Sequence, residues 1–142
     1  MTLIKRFEDI EIWKKARVLA KKIYETTSFG LFTKDFAFRD QIRDSSGSIM
    51  DNIAEGFERD GKQEFIYFLS ISKGSAGELK SQLYRALDIK YITNSQFKEL
   101  FEIADEISKM LKGFIEYLKS VDHRGSKFKK PKLKSPDPKF EI

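Results

Sequence analysis

The position of the prolines constrains the fold of this chain more than any other feature. All three (Pro131, Pro136 and Pro138) lie near the carboxyl end, so the first 120 of the 142 residues contain none. Proline in a helix interior removes a hydrogen bond and clashes with the preceding turn. A proline-free stretch of this length therefore allows long, uninterrupted helices.

Apolar residues recur at spacings of three and four through this stretch, as they do on one face of an α-helix. No segment shows the alternation of a half-buried strand. The four predicted helices run from about Asp9 to Thr26, from near Thr33 to about Arg59, from about Lys62 to Tyr91, and from the Thr93-Asn94-Ser95 turn to about Ser120.

Turn and capping residues mark the ends of these segments. Gly30 follows the first helix, the Thr33 hydroxyl is expected to cap the second, Asp60-Gly61 to close it, and the Thr93-Asn94-Ser95 turn to cap the fourth. The predicted core faces are Ile12, Trp13, Ala16, Leu19, Ala20, Ile23 and Tyr24; Phe38, Ile42, Ile49, Ile53 and Phe57; Phe65, Leu69, Ala76, Leu79, Leu83 and Leu87; and Phe97, Leu100, Phe101, Ala104, Ile107, Leu111, Ile115 and Leu118. We predict an all-α fold, an antiparallel up-down-up-down four-helix bundle.

Charge divides the chain into two parts. Residues 121–142 hold seven Lys and Arg against three acids, whereas residues 1–120 hold 20 basic and 19 acidic residues. The net charge of +5 therefore belongs mostly to the tail. We predict a bundle over residues 1–120 and a basic, proline-containing tail over residues 121–142.

Composition excludes most catalytic and metal sites. The chain has no cysteine and one histidine, so it can form no disulfide, thiolate metal site or histidine cluster. It also has no glycine-rich phosphate loop and no nucleophile paired with a base. We expect no enzymatic activity, no cofactor and no metal. The charged start and the lack of a long apolar run predict a cytoplasmic protein without membrane contact.

The second helix carries a polar stripe beside its core face. Helical spacing places Gln41, Ser45, Ser48, Asn52, Glu55 and Arg59 together, and Asp40, Asp44, Asp51 and Glu58 on the far side. Small uncharged side chains allow close approach of another backbone. The stripe is either a boundary within one bundle or a contact between subunits.

The third helix has apolar and small residues opposite its core face. Tyr67, Ile71, Gly74 and Glu78 follow one another at helical spacing. A helix-interior glycine costs about 1 kcal/mol relative to alanine, which indicates close packing by a neighbour. We predict a subunit interface at Tyr67, Ile71 and Gly74. The alternative for the run from Gly74 to Gly77, a phosphate cradle, would require a preceding strand.

Several motifs occur in a recognisable order. They are Phe7-Glu8-Asp9-Ile10-Glu11-Ile12-Trp13-Lys14-Lys15-Ala16, Gln41-Ile42-Arg43, Ser48-Ile49, Asn52-Ile53-Ala54-Glu55-Gly56-Phe57, Phe65-Ile66-Tyr67-Phe68-Leu69 and Gly74-Ser75-Ala76-Gly77-Glu78-Leu79. Together they resemble the family of 23S rRNA-intervening sequence proteins, encoded within large-subunit ribosomal RNA genes. The resemblance covers about residues 7–120.

This resemblance implies a bacterial cytoplasmic four-helix bundle, assembled as a ring-like homopentamer and without enzymatic activity. The family is similar in fold to accessory proteins of diversity-generating retroelements, which bind nucleic acid and a reverse transcriptase. The motif residues with an implied structural or interface role are Arg43, Asn52, Glu55, Gly56, Gly74 and Glu78. The sequence departs from the family pattern at Met50-Asp51 and at Asp44-Ser45-Ser46, and the acidic substitutions argue against phosphate binding by this helix.

The tail is the remaining candidate site. Its candidate nucleic-acid-binding residues are Lys127, Lys129, Lys130, Lys132 and Lys134, which are interleaved with Phe128 and Leu133. Such an arm could bind RNA or DNA by charge neutralisation, or serve only as a solvated tail. The sequence thus predicts a non-enzymatic homo-oligomer that binds nucleic acid. The alternative is a scaffold for a protein partner, such as an accessory subunit of a reverse transcriptase.

Overall fold

The computed structural model describes residues 4–121. Four α-helices make up nearly all of this part of the chain. They are α1 (Glu11–Thr26), α2 (Phe36–Glu58), α3 (Lys62–Asp88) and α4 (Asn94–Ser120). Short 3-10 turns cover Phe7–Asp9 and Gly30–Thr33. Residues 4–121 contain no strand, so the prediction of an all-α fold with four helices is confirmed.

Each helix packs antiparallel against the next, and α1 closes the bundle against α4. Contacts between α2 and α3 show the antiparallel arrangement, since Asp35 meets Tyr91 at one end and Gly56 meets Phe65 at the other. Ion pairs from Lys15 to Glu106 and from Lys22 to Glu99 join α1 and α4 in the same sense. The connections are too short to allow any parallel neighbour.

The core lies between the four apolar faces. All five predicted core residues of α2 are buried, as are all those of α3 except Leu87, which is partly buried against the core. Phe65 lies at the centre of an aromatic series, with its ring centroid 5.9 Å from Phe57 and 5.7 Å from Phe114. Edge-on ring contacts of this kind stabilise the core beyond the area they bury.

The predicted position of Tyr24 in the core is wrong. Its side chain is 59% exposed, whereas Ile23 beside it is buried. The Arg43 guanidinium of α2 lies 3.8 Å from the centre of the Tyr24 ring. Tyr24 therefore packs under a cation at the edge of the bundle, where its hydroxyl can reach water.

Four predicted helix boundaries also differ. α1 begins after the 3-10 turn, at Glu11 and not at Asp9. The Thr33 hydroxyl donates backward to the Gly30 carbonyl, and Asp35 caps α2 by accepting from the Phe38 amide. A carboxylate at this position also interacts favourably with the positive end of the helix dipole.

Gly61 does not close α2, because its φ of −110° is not left-handed and it is the residue that precedes α3. The left-handed position lies at the other end of α3, at Lys90, with a φ of 62°. The Lys90 amide donates to the Leu87 carbonyl and the Tyr91 amide to the Ala86 carbonyl. This pair of bonds ends α3 at Asp88, ahead of the predicted Tyr91.

Candidate functional site

The middle of the polar stripe on α2 faces α3 within the same chain. Ser45 is buried, and Ser48 and Asn52 are half-buried. The Ser48 hydroxyl lies 2.9 Å from the Ser75 hydroxyl of α3, and the Asn52 amide donates to the Ser48 carbonyl and hydroxyl, both at 2.8 Å. These groups are satisfied inside one bundle, as the boundary interpretation of the stripe predicts.

Arg43 connects α2 to the end of α1. Its Nε donates to the Thr27 hydroxyl at 2.8 Å, and its Nη2 donates to the Ser28 hydroxyl at 3.1 Å. With the Tyr24 ring beneath it, this guanidinium has partners on its edge and on its face. Arginine suits this position because its planar guanidinium can donate hydrogen bonds along its edge and stack on a ring with its face.

Glu55 lies at the exposed end of the stripe. It forms an ion pair with Arg59, whose Nη2 lies 3.0 Å from a Glu55 carboxylate oxygen. The Arg59 guanidinium also lies 3.7 Å from a Glu64 carboxylate oxygen and 5.0 Å from the centre of the Phe68 ring. Both carboxylates are at least half exposed, so these surface pairs contribute little to stability on their own.

The structure does not join the motif residues in one network. Arg43 lies near the end of α1, Asn52 bonds within α2, Glu55 pairs with Arg59, and Glu78 is exposed with no partner among residues 4–121. A network between subunits stays a prediction.

At Gly56, α2 and α3 approach each other closely. A Cβ atom built on it would lie 2.7 Å from the Phe68 Cβ and 3.3 Å from the Phe65 carbonyl oxygen. Neither atom is the far end of a flexible side chain. Only glycine fits here without moving one helix away from the other.

The outer face of α3 carries a regular seam of exposed residues. It consists of Gln63, Tyr67, Ser70, Gly74, Gly77, Ser81, Tyr84 and Asp88, all exposed. Their spacing alternates between four and three, so they share one face of the helix. We call these eight residues the α3 seam.

Gly74 lies at the middle of the α3 seam. A Cβ atom built on Gly74 or on Gly77 would have no neighbour within 4 Å. Packing inside this chain therefore does not explain either glycine. Of the three predicted interface residues, Tyr67 and Gly74 are exposed and Ile71 is half-buried beside them. The sequence analysis missed the other members of the seam, although the same spacing signal was present in the sequence.

Two ionisable groups that contact another helix have shifted pKa values, the Asp105 carboxyl and the Tyr91 hydroxyl. A hydrogen bond from Lys109 and one from Lys80, at 3.0 and 3.1 Å, lower the pKa of the Asp105 carboxyl. A hydrogen bond to Asp35 raises the pKa of the Tyr91 hydroxyl, because ionisation would place two negative charges side by side.

A surface groove of about 430 Å³ lies between α1 and α4. Its lining is mostly Lys and Glu, with one serine and one isoleucine: Lys15, Ser95, Lys98, Glu99, Glu102, Ile103 and Glu106. Nowhere do residues 4–121 bring together three His, Cys, Asp or Glu side chains as a metal site would. Within the same part of the chain, each helix lacks the combination of length and apolarity needed to cross a lipid bilayer.

The five candidate lysines of the tail, Lys127, Lys129, Lys130, Lys132 and Lys134, lie outside the described residues. The structure does place the point from which the tail continues. The Val121 carbonyl accepts a hydrogen bond from the Lys62 ammonium at the start of α3. The tail therefore continues from the end of the bundle at which α2 ends and α3 begins.

Comparisons with known proteins agree with this fold. A search of curated proteins finds no match. A solved structure of a protein of unknown function from the S23 ribosomal protein family of Bacteroides thetaiotaomicron VPI-5482 is similar, with a TM-score of 0.69 and 28% identity. The match covers 74% of this chain and 98% of that one. The family model for the 23S rRNA-intervening sequence protein matches residues 8–113, so this chain belongs to that family.

Proposed function

We propose that this chain is a non-enzymatic oligomeric binding protein. It assembles through the outer faces of α2 and α3 into a homopentameric ring and binds nucleic acid through its basic tails. The α3 seam is the observation that carries the proposal. The number five comes from the family resemblance of the motifs.

The chemistry of the α3 seam fits a helix of a second copy. Ser70, Gly74, Gly77 and Ser81 are small, so a neighbouring backbone can approach closely along the middle of α3. Tyr67 and Tyr84, 61% and 52% exposed, lie at the two ends of this stretch. One side of the Tyr84 ring packs against Phe97 and Phe101 of α4, and the exposed part of each tyrosine offers apolar surface to a neighbour. Aromatic side chains are enriched at protein interfaces because they bury much area at low entropic cost.

Light scattering tests the assembly. At micromolar concentration and moderate salt, we expect a particle several times the 16.6 kDa chain mass, with fivefold as the specific expectation. A monomer under these conditions would contradict the proposed interface.

The tails supply the nucleic-acid-binding part of the proposal. Seven basic residues against three acids lie in residues 121–142, whereas the bundle is almost neutral. Each cation that neutralises a phosphate releases a counterion, which gives affinity without sequence information. Five tails on one ring would act together through their high effective concentration.

Salt-dependent RNA binding tests the tails. For an oligouridine of about 20 nucleotides, affinity is expected to fall about a hundredfold between about 50 and about 200 mM salt if five lysines contact phosphates. Changing Lys127, Lys129, Lys130, Lys132 and Lys134 to Ala should remove most of this slope. Truncation after Ser120 should also weaken binding and leave the oligomer intact.

The matched control changes five exposed bundle lysines to Ala. Lys5, Lys14, Lys21, Lys98 and Lys112 are all exposed, and the net charge then falls by the same amount. If this variant and the tail variant lose the same affinity, net charge and not the tail is responsible. If the truncated chain binds RNA as tightly as the full chain, the tail is not the site.

The second candidate function is a scaffold for a protein partner, such as an accessory subunit of a reverse transcriptase. The α3 seam also favours this function, because a partner helix could occupy it. An intact oligomer with no affinity for RNA at low salt would favour the scaffold.

A further inference from the structure

Exposed apolar side chains are concentrated at one end of the bundle. Among residues 4–121, eight large apolar side chains are exposed, and five of them lie where α1 ends, α2 begins and α3 ends. These five are Tyr24, Phe29, Leu31, Phe36 and Ile89, and we call them the aromatic end. Phe29 is 73% and Phe36 62% exposed, so neither side chain packs into the core of this chain.

The loop that presents these side chains is held firmly. Phe32 is fully buried, with its ring centroid 5.5 Å from Phe38 and 5.0 Å from Tyr91. The Tyr91 hydroxyl donates to Asp35 at 2.9 Å. Phe29 lies three residues before this anchor, outside it. The exposed rings are therefore presented by an ordered support and lose little conformational freedom on binding.

Cations lie on and around these rings. The Arg39 guanidinium lies 4.9 Å from the centre of the Phe36 ring, and that of Arg43 lies 3.8 Å from the centre of the Tyr24 ring. Exposed Lys34, Arg85 and Lys90 add further positive charge at this end.

Acids at this end offset part of that charge but leave Arg43 without an acidic partner. Asp35 caps α2 and accepts from Tyr91, and Asp40 pairs with Arg39 at 3.2 Å. Glu25 and Asp88 are exposed there as well. No acid among residues 4–121 pairs with Arg43, whose guanidinium contacts two hydroxyl groups, a carbonyl and a ring.

We propose that the aromatic end binds single-stranded nucleic acid, with bases stacked on Phe29, Phe36 and Tyr24 and phosphates contacted by Lys34, Arg39 and Arg43. Aromatic rings bind unpaired bases of any sequence through their faces, and arginine contributes both charge and stacking. A purely apolar partner would bury the Arg43 guanidinium, which pairs with no acid among residues 4–121, without supplying an anion, and this is costly. A phosphate backbone supplies that anion.

This site is separate from the tail. α3 is 27 residues long, so the aromatic end lies about 40 Å from the end at which Val121 meets Lys62. The inference therefore goes beyond the proposed function and can hold or fail independently of it.

The test uses fluorescence anisotropy of the full chain with a labelled oligouridine of about 20 nucleotides and with a duplex of the same length. The Phe29→Ser/Phe36→Ser variant should bind the single strand about tenfold more weakly or worse, with the salt slope unchanged. Because both rings are exposed, the variant should keep the melting temperature and oligomer mass of the parent chain. The Val18→Ser variant, which changes an exposed apolar residue on the side of α1, should bind as the parent does.

A second variant separates stacking from general apolar contact. Phe29→Leu/Phe36→Leu keeps apolar surface and removes both rings, so it should also lose affinity for the single strand. Full affinity of the leucine variant would overturn the proposal, as would equal binding of the serine variant and the parent chain. Equal dependence of duplex binding on the two rings would also overturn it.

Two further outcomes distinguish the sources of binding. If the five-lysine tail variant loses affinity and the Phe29→Ser/Phe36→Ser variant does not, the tail proposal stands and this one fails. The reverse result supports the aromatic end alone. The third outcome concerns lipid. If the Phe29→Ser/Phe36→Ser variant loses binding to phosphatidylglycerol vesicles while its RNA affinity is unchanged, the rings contact a lipid surface and the proposal is overturned.

Discussion

Two glycines of the same helix illustrate how local surroundings decide the role of a residue. Gly56 and Gly47 are both interior to α2 and carry the same intrinsic helix penalty. Phe68 and Phe65 of α3 lie against Gly56, whereas a Cβ on Gly47 would have no neighbour within 4 Å. The first glycine permits helix packing, and the second only costs helix stability.

Alanine substitutions should therefore have opposite effects at these two positions. Gly56→Ala should lower the free energy of unfolding by about 1–3 kcal/mol, because the added methyl group forces α2 and α3 apart. Gly47→Ala should raise it by about 0.5–1 kcal/mol through helix propensity. Denaturant unfolding of both variants measures the difference. Stabilisation by both would mean that Phe68 can move aside at little cost.

Arg43 makes the same point for a charged residue. Its contacts to Thr27 and Ser28 and over Tyr24 are all within this chain, at the junction of two helices. A motif arginine at such a position needs no ligand to explain it. Its place beside the aromatic end allows it to serve both roles.

At the scale of the element, α3 has one face in the core and an opposite face that is exposed. One face buries Phe65, Leu69 and Leu79 in the core, and the opposite one presents the α3 seam. A helix of a monomeric bundle needs only the first. On the second, Gly74 and Gly77 have no neighbour within this chain, and their small size would let a partner helix approach closely.

Gly74→Leu should separate these two faces. We expect the variant to lose its oligomeric mass in light scattering and to keep its helicity by circular dichroism, because the leucine would occupy the space of the approaching subunit. Lys112→Leu on the exposed side of α4, away from both proposed interface helices, is the matched control and should stay assembled. Equal loss of helicity and assembly in the Gly74 variant would instead place this glycine in contact with the core.

At the scale of the whole molecule, the proposed functions occupy different regions. The α3 seam runs along one side, the aromatic end lies where α1 gives way to α2, and the chain continues into its tail from the opposite end at Val121. A ring built through the seam would leave both ends of each bundle accessible. Nucleic acid could then contact two ends of the same subunit without competing with assembly.

The net charge of the whole chain does not describe the charge of the bundle. The chain carries +5, yet residues 1–120 have 20 basic and 19 acidic residues. Many acids of the bundle are held in pairs with its cations, including Asp105 between Lys80 and Lys109. The tail has few acids for its lysines to pair with. Long-range attraction to polyanions is therefore expected to depend on the tail.

The sequence by itself determined the fold class and the approximate positions of the four helices. The absence of proline and the spacing of apolar residues depend only on local helix geometry, so four helices and their core faces were predictable. The sequence also marked the turn that caps α4, and the structure shows that Thr93 is the capping residue and that Gln96 completes a capping box. The ordered motifs also identified the family before any coordinates.

Tertiary structure alone decided what individual residues on those helices do. Sequence spacing treats Gly56 and Gly74 alike, but only packing shows that the first meets Phe68 and the second meets no atom of this chain. Tyr24 fits the apolar period and yet lies outside, because Arg43 from another helix covers its ring. The physical reason is that helix formation depends on neighbours three and four residues away, whereas burial and contact depend on segments that are distant in sequence.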